Sequence, residues 1–103
     1  MPKFVFAYHG GKMPETPEEG AKVMKAWADW LTGMGSAVVD GGNPVGPSQT
    51  ISATGVAPNG GANPLSGYSL VTAASIDKAV AMAKGCPILE AGGSVEVAEA
   101  MEM

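Results

Sequence analysis

One histidine and one aspartate, each closing a strand-like segment, are the residues of this chain best suited to moving a proton. His9 is the only histidine. It ends the segment Lys3–His9 and is followed by Gly10-Gly11, and imidazole titrates near neutral pH. Asp40 ends Ser36–Asp40 and opens the turn-rich run Asp40-Gly-Gly-Asn-Pro. If the two segments are the parallel strands of a β-α-β unit, their C-terminal ends share one sheet edge. A carboxylate there can orient the imidazole and raise its basicity, the arrangement that general-base chemistry requires. Each residue also has an ordinary explanation. A strand-end histidine can donate to a loop carbonyl, and aspartate before glycine bonds its own turn backbone. Tyr8, Trp27, Asn43, Ser66 and Tyr68 lie on the neighbouring segments and carry ring, amide and hydroxyl groups that can hold a small polar ligand. Asn43 and Ser66 are equally ordinary turn residues.

The elements that must position these groups follow from capping and periodicity. Lys3–His9 alternates Phe4, Phe6 and Tyr8 with Val5 and Ala7, a strand apolar on both faces. Thr16-Pro17-Glu18-Glu19 is a capping box with proline at the first helical position. The helix it starts runs to about Gly33, with Val23, Trp27, Trp30, Leu31 and Met34 as its inward stripe. Ser36–Asp40 and Ser48–Thr54 read as short strands, with the glycine- and proline-rich link 41–47 between them and a long loop over Gly55–Ser66. Gly67–Ala73 is a strand. Ser75 caps a second helix to Lys84, with Ile76, Ala79, Val80 and Ala83 inward, Gly85 as a left-handed C-cap and Pro87 as the stop. Gly93–Val97 is the last strand. The methionines at 24, 34 and 82 read as core, Cys86 as a small buried hydrophobe, and Glu96 and Glu99 as solvated strand charges.

The order β-α-β-β-α-β predicts one α+β domain over 1–103: a ferredoxin-like antiparallel sheet with both helices on one face. The other face would then present Tyr68, Leu70 and valines to water. A second copy packed sheet to sheet in a two-fold homodimer would cover that patch.

Gly67-Tyr-Ser-Leu-Val, Ser75-Ile-Asp-Lys-Ala-Val-Ala-Met-Ala-Lys, Cys86-Pro and Gly92-Gly-Ser-Val-Glu-Val together resemble the YCII-related family, in its DGPF-domain branch. The resemblance implies a dimeric α/β barrel built from ferredoxin-like subunits. It also implies a small protein of the kind in which some relatives act on ring-cleavage products. The Asp-Gly-Pro-Phe signature itself is absent; Ala62-Asn-Pro-Leu-Ser66 stands before the Gly67 strand. The first helix holds no histidine, so a helix-borne His–Asp pair is not carried over.

Composition narrows the function. The chain has 103 residues, 46% hydrophobic and 16% charged, with a formal net charge of −4. Its six cationic side chains are scattered lysines, without the stripe that nucleic acid or an anionic membrane surface requires. One cysteine allows no internal disulfide, and no paired ligand spacing suggests a metal. No apolar run approaches the roughly 20 residues of a membrane span. The expectation is a cytoplasmic, cofactor-free protein with an unknown small-molecule ligand. Three functions stay open: a lyase- or isomerase-type enzyme with His9 as proton carrier and Asp40 as its orienter, a ligand-binding or regulatory dimer, and a purely structural dimer.

Overall fold

A computed structural model describes residues 1–58 and 63–102. It is an α+β fold with two α-helices against a four-stranded antiparallel sheet. In chain order the elements are β1 (Lys3–His9), α1 (Pro17–Met34), β2 (Val38–Asp40), β3 (Thr50–Ser52), β4 (Gly55–Ala57), β5 (Leu65–Thr72), α2 (Ile76–Ala83) and β6 (Ser94–Ala100). The main sheet has the order β2-β5-β1-β6, while β3 and β4 form a separate two-stranded ribbon.

Register decides which side chains share a face, because residues directly opposite in an antiparallel pair point the same way. Phe4, Phe6 and Tyr8 face Val71, Ser69 and Gly67 on one side and Glu99, Val97 and Val95 on the other. This is the covered face. Phe4, Phe6 and Tyr8 are buried with Val71, Ala79, Ala83, Cys86 and Ile88, and Trp27, Trp30, Met34 and Met82 pack on them. Both helices thus contribute to one core on one side of the sheet. The opposite face carries Val5 and Ala7 of β1, Tyr68 and Leu70 of β5, and Glu96 and Ala98 of β6. Of the valines expected there, Val5 is on this face, while Val95 and Val97 lie on the helix side.

The helix signals are realised where the caps are. Thr16 accepts from the Glu19 N–H at 3.1 Å, and Ser75 accepts from the Lys78 N–H at 3.3 Å. The Glu19 carboxylate reaches back to the Glu15 N–H, one residue before the cap. Gly85 does not take the left-handed conformation expected of it. The chain instead tightens from Lys84 through a turn into a 3-10 segment at Pro87–Leu89. A Cβ on Gly85 would sit 3.3 Å from the Trp30 ring, so this glycine makes room for the indole. That indole donates to the Met82 carbonyl at 3.1 Å and ties α1 to α2.

The inward stripe of α1 is shallower than its periodicity suggests. No residue of α1 is fully buried, and Val23 and Met24 are exposed, because the two indoles prop the helix away from the sheet. Ser36 and Ala37 belong to a 3-10 turn rather than a strand. The strand expected over Ser48–Thr54 is the shorter β3, and Gly55–Ala57, expected as loop, pairs with it as β4. Part of the expected Gly55–Ser66 loop, residues 59–62, lies outside the described residues.

Candidate functional site

His9 sits at the end of β1 with its ring on the helix-free face, opposite Ser94 of β6. Nε2 lies 3.1 Å from Glu96 Oε1. Nδ1 lies 3.1 Å from the carbonyl oxygen of Asn63 and 3.3 Å from that of Pro64. These neighbours are acceptors when Glu96 is ionised, so each ring nitrogen must donate to make its contact. An imidazole with a proton on both nitrogens satisfies both sides at once. The ring is 13% exposed while the Glu96 side chain is 70% exposed, so the accessible side of the pair is the carboxylate and the Nε2–H it holds.

Asp40 is elsewhere. It opposes Leu70, which opposes Val5, so Asp40 is level with the middle of β1 and one whole strand intervenes. Four residues along and two strands across put the two backbones roughly 16 Å apart. The Asp40 carboxylate instead accepts from the Gly42 N–H at 2.8 Å. The expected His9–Asp40 convergence does not form. The reason is register: the pairing with β5 does not stop at Asp40 but continues through the supposed turn. The Tyr68 N–H donates to the Asn43 carbonyl at 3.3 Å, the Val45 N–H to the Ser66 carbonyl at 3.0 Å, and Pro44 bridges to Gly67. The edge segment therefore ends several residues beyond Asp40. Gly42 is obligatory here: its φ is +73° and a Cβ would fall 1.6 Å from the Tyr68 carbonyl oxygen.

The remaining site candidates divide between the two faces. Tyr8 and Trp27 meet edge to face at 4.9 Å on the helix side, within an aromatic cluster that includes Phe6 and Trp30. Tyr68 shares the helix-free face with His9. Ser66 donates to the Gly10 carbonyl at 2.8 Å, closing the loop that flanks His9, and Asn43 contributes backbone to the edge pairing. His9, Ser66 and Tyr68 thus belong to one end of the molecule, while Tyr8 is core and Trp27 is a half-buried ring packed on it.

Two polar residues of consequence have no role in the sequence reading. Glu96, a solvated charge by its alternation, is the carboxylate partner of His9; the two are 87 positions apart and only the β1–β6 register joins them. Ser69 is fully buried. It accepts from the Tyr8 hydroxyl at 2.7 Å and donates to the Gly41 carbonyl at 2.7 Å. Burial pushes the Tyr8 hydroxyl up to about 12, with the Ser69 bond working the other way. A serine in the inward phase of an otherwise apolar strand was the signal available. Burial likewise raises the Cys86 thiol to about 11, which suits a packed hydrophobe and not a nucleophile.

Open grooves lie away from His9. One of about 310 Å3 runs between α2 and β6, lined by Val80, Ala83, Lys84, Leu89, Val95 and Val97. Another of about 580 Å3 lies at the opposite end of the sheet, where Met1, Met34, Ala73 and Met82 are among its walls. Among the described residues, no group of three or more His, Cys, Asp or Glu is placed to hold a metal ion. No helix among them is long and apolar enough to cross a membrane. Comparison with protein-family models, curated proteins and solved structures finds no match in any of the three.

Proposed function

We propose that this chain is a YCII-related, ferredoxin-like subunit of a homodimer that binds a small polar molecule without a cofactor at the His9 end of its sheet. The observation that carries the reading is the His9–Glu96 pair at 3.1 Å on the helix-free face. It puts a proton donor and a carboxylate beside an apolar strip of Val5, Ala7, Tyr68 and Leu70. Such a strip favours a second copy, sheet to sheet, which would turn an open rim into an enclosed site. The strand order β2-β5-β1-β6 supports the ferredoxin-like assignment, and the quoted C-terminal motifs support the family. Cytoplasmic location belongs to the same reading.

Within that site His9 is the proton carrier; the Asn63 and Pro64 carbonyls orient its ring through Nδ1, and Glu96, not Asp40, is the carboxylate that holds the proton-bearing Nε2. The proton on Nε2 faces the exposed carboxylate, so a substrate oxygen that displaces Glu96 would meet it directly. That suits lyase- or isomerase-type acid–base chemistry. The second reading, a ligand-binding or regulatory dimer without turnover, is favoured by one feature. Both imidazole nitrogens are already engaged, as in a histidine that clamps β6 to the 63–64 loop.

Thermal-shift measurement of the wild type and His9→Ala against a library of small carboxylic acids and carboxylates tests the site. At least one compound should raise the wild-type Tm and leave His9→Ala unmoved. Compounds that shift both proteins equally would remove His9 from the site. For any compound turned over, Glu96→Gln should lower kcat while His9→Ala abolishes it. Binding without turnover in either protein selects the second reading.

A further inference from the structure

The β3–β4 ribbon is an amphipathic element with nothing on its apolar side. Ile51 and Val56 are directly paired, so their side chains point the same way, and they are 73% and 59% exposed. The other side of the ribbon carries Thr50, Ser52, Gly55 and Ala57. An isolated two-stranded hairpin is at best marginally stable in water, and three residue pairs are a short one. Its apolar side calls for a cover.

A complementary surface exists on the same chain, at the opposite edge of the sheet and behind the helices. The ribbon leaves the body beside β2, one edge strand of the main sheet, while the groove of Val80, Ala83, Leu89, Val95 and Val97 lies along β6, the other edge. Three strand spacings, roughly 14 Å, separate the two edges. On the grooved face both helices stand between them. Dimer area points the same way. The helix-free face measures roughly 23 Å by 19 Å from strand length and spacing, on the order of 440 Å2. A stable interface takes about 800 Å2 from each partner. Sheet-to-sheet contact alone falls short, and the shortfall calls for an element that reaches beyond the sheet.

We infer that the β3–β4 ribbon is an exchange arm, laying Ile51 and Val56 into the α2–β6 groove of a second copy of this chain. The inference rests on the sheet-to-sheet dimer proposed above and specifies its axis. A two-fold axis along the strands sets β2 of each copy over β6 of the other, so both arms reach both grooves at once. The reach is sufficient. The groove opens on the helix side of the partner's β6, so the arm must cross the roughly 10 Å between stacked sheets and turn around that edge strand. Six extended residues from Val45 to Ile51 span about 20 Å, which leaves about half of their length for the turn.

Sedimentation velocity of the full chain across micromolar concentrations is the test, with Ile51→Ser/Val56→Ser as the arm variant and Leu89→Ser as the groove variant. Each should raise the dimer dissociation constant at least tenfold and leave the far-UV circular dichroism unchanged; the altered side chains are exposed, so folding is not at stake. A dimer of unaltered affinity in the arm variant refutes the arm and leaves the sheet-face dimer standing. A wild type that sediments only as monomer refutes both. Chains carrying Ile51→Cys mixed with chains carrying Leu89→Cys should give a disulfide-linked heterodimer on mild oxidation. An intramolecular bridge in a single chain carrying both substitutions, formed at high dilution, would show that the arm serves its own groove and overturn the inference.

Discussion

Ser69→Ala should be among the most damaging single-atom deletions in this protein. The serine is fully buried and stands between the Tyr8 hydroxyl and the Gly41 carbonyl, each at 2.7 Å. Removing its oxygen strands a buried phenol, at about 1–3 kcal/mol, and forfeits a second hydrogen bond worth about 0.5–1.5 kcal/mol. The expected loss is about 2–4 kcal/mol, and each kcal/mol lowers Tm by roughly 4–8 °C in a domain of this size. Urea unfolding at one fixed protein concentration measures it, since association adds to apparent stability. Tyr8→Phe is the matched control. It removes the phenol hydroxyl itself, leaves Ser69 bonded to Gly41, and should cost only about 0.5–1.5 kcal/mol. In the Tyr8→Phe background Ser69→Ala no longer strands anything, so the double variant should be at least about 1 kcal/mol more stable than the two single losses predict. Strict additivity, or a Ser69→Ala loss below about 0.5 kcal/mol, would mean that the hydroxyl finds another partner and the buried relay is not what holds Gly41.

Raising the pH should destabilise the fold in two stages. Cys86 ionises near 9.0 when unfolded and near 11 when folded, and Tyr8 near 10.0 and near 12. Stability from keeping each group neutral is complete below the unfolded value and lost as pH climbs to the folded one. The urea midpoint should therefore fall from about pH 9 upward, and Cys86→Ala should flatten the part between about 9 and 11. Gly42→Ala should cost about 3 kcal/mol, the upper end for one substitution, because its Cβ collides with the Tyr68 carbonyl at positive φ; the urea midpoint reads it. Gly33→Ala, in α1 with open space around the new methyl, should stabilise by about 0.5–1 kcal/mol in the same assay. Thr16→Ala should lose about 1 kcal/mol with its cap to the Glu19 N–H.

The parts of this fold legible in the sequence are those fixed by neighbours along the chain. Thr16 and Ser75 announce their helices because a cap acts within three residues. Phe4, Phe6 and Tyr8 announce a strand because alternation is local. What escaped was set by partners far away. Asp40-Gly-Gly-Asn-Pro has the composition of a turn, yet Gly42 is there to let the edge strand pass close under Tyr68, and the pairing runs on to Val45. That extra length keeps Asp40 away from the rim. Glu96 alternates like any solvated strand residue, and only the β1–β6 register brings it to His9. The ribbon was half legible: Thr50–Ser52 alternates, whereas Gly55-Val-Ala57 is too short and glycine-led to stand out until its partner is known. Trp27 reads as part of the inward stripe of α1 and packs there against Tyr8; bulk alone does not say whether such a ring anchors a core or walls a pocket.

The pairing of Lys3 with Ala100 has a consequence for how the protein comes into being. Ribosomal synthesis delivers β6 after every other described strand, yet its place is against β1, the first. Until then β1 carries an open flank, Phe6 and Tyr8 lack the cover of Val97 and Val95, and His9 waits without its carboxylate. Pairing the two ends of the chain costs loop-closure entropy before it is rewarded, which slows folding. A nascent chain stalled before Ser94 should thus be a substrate for chaperones rather than a folded intermediate.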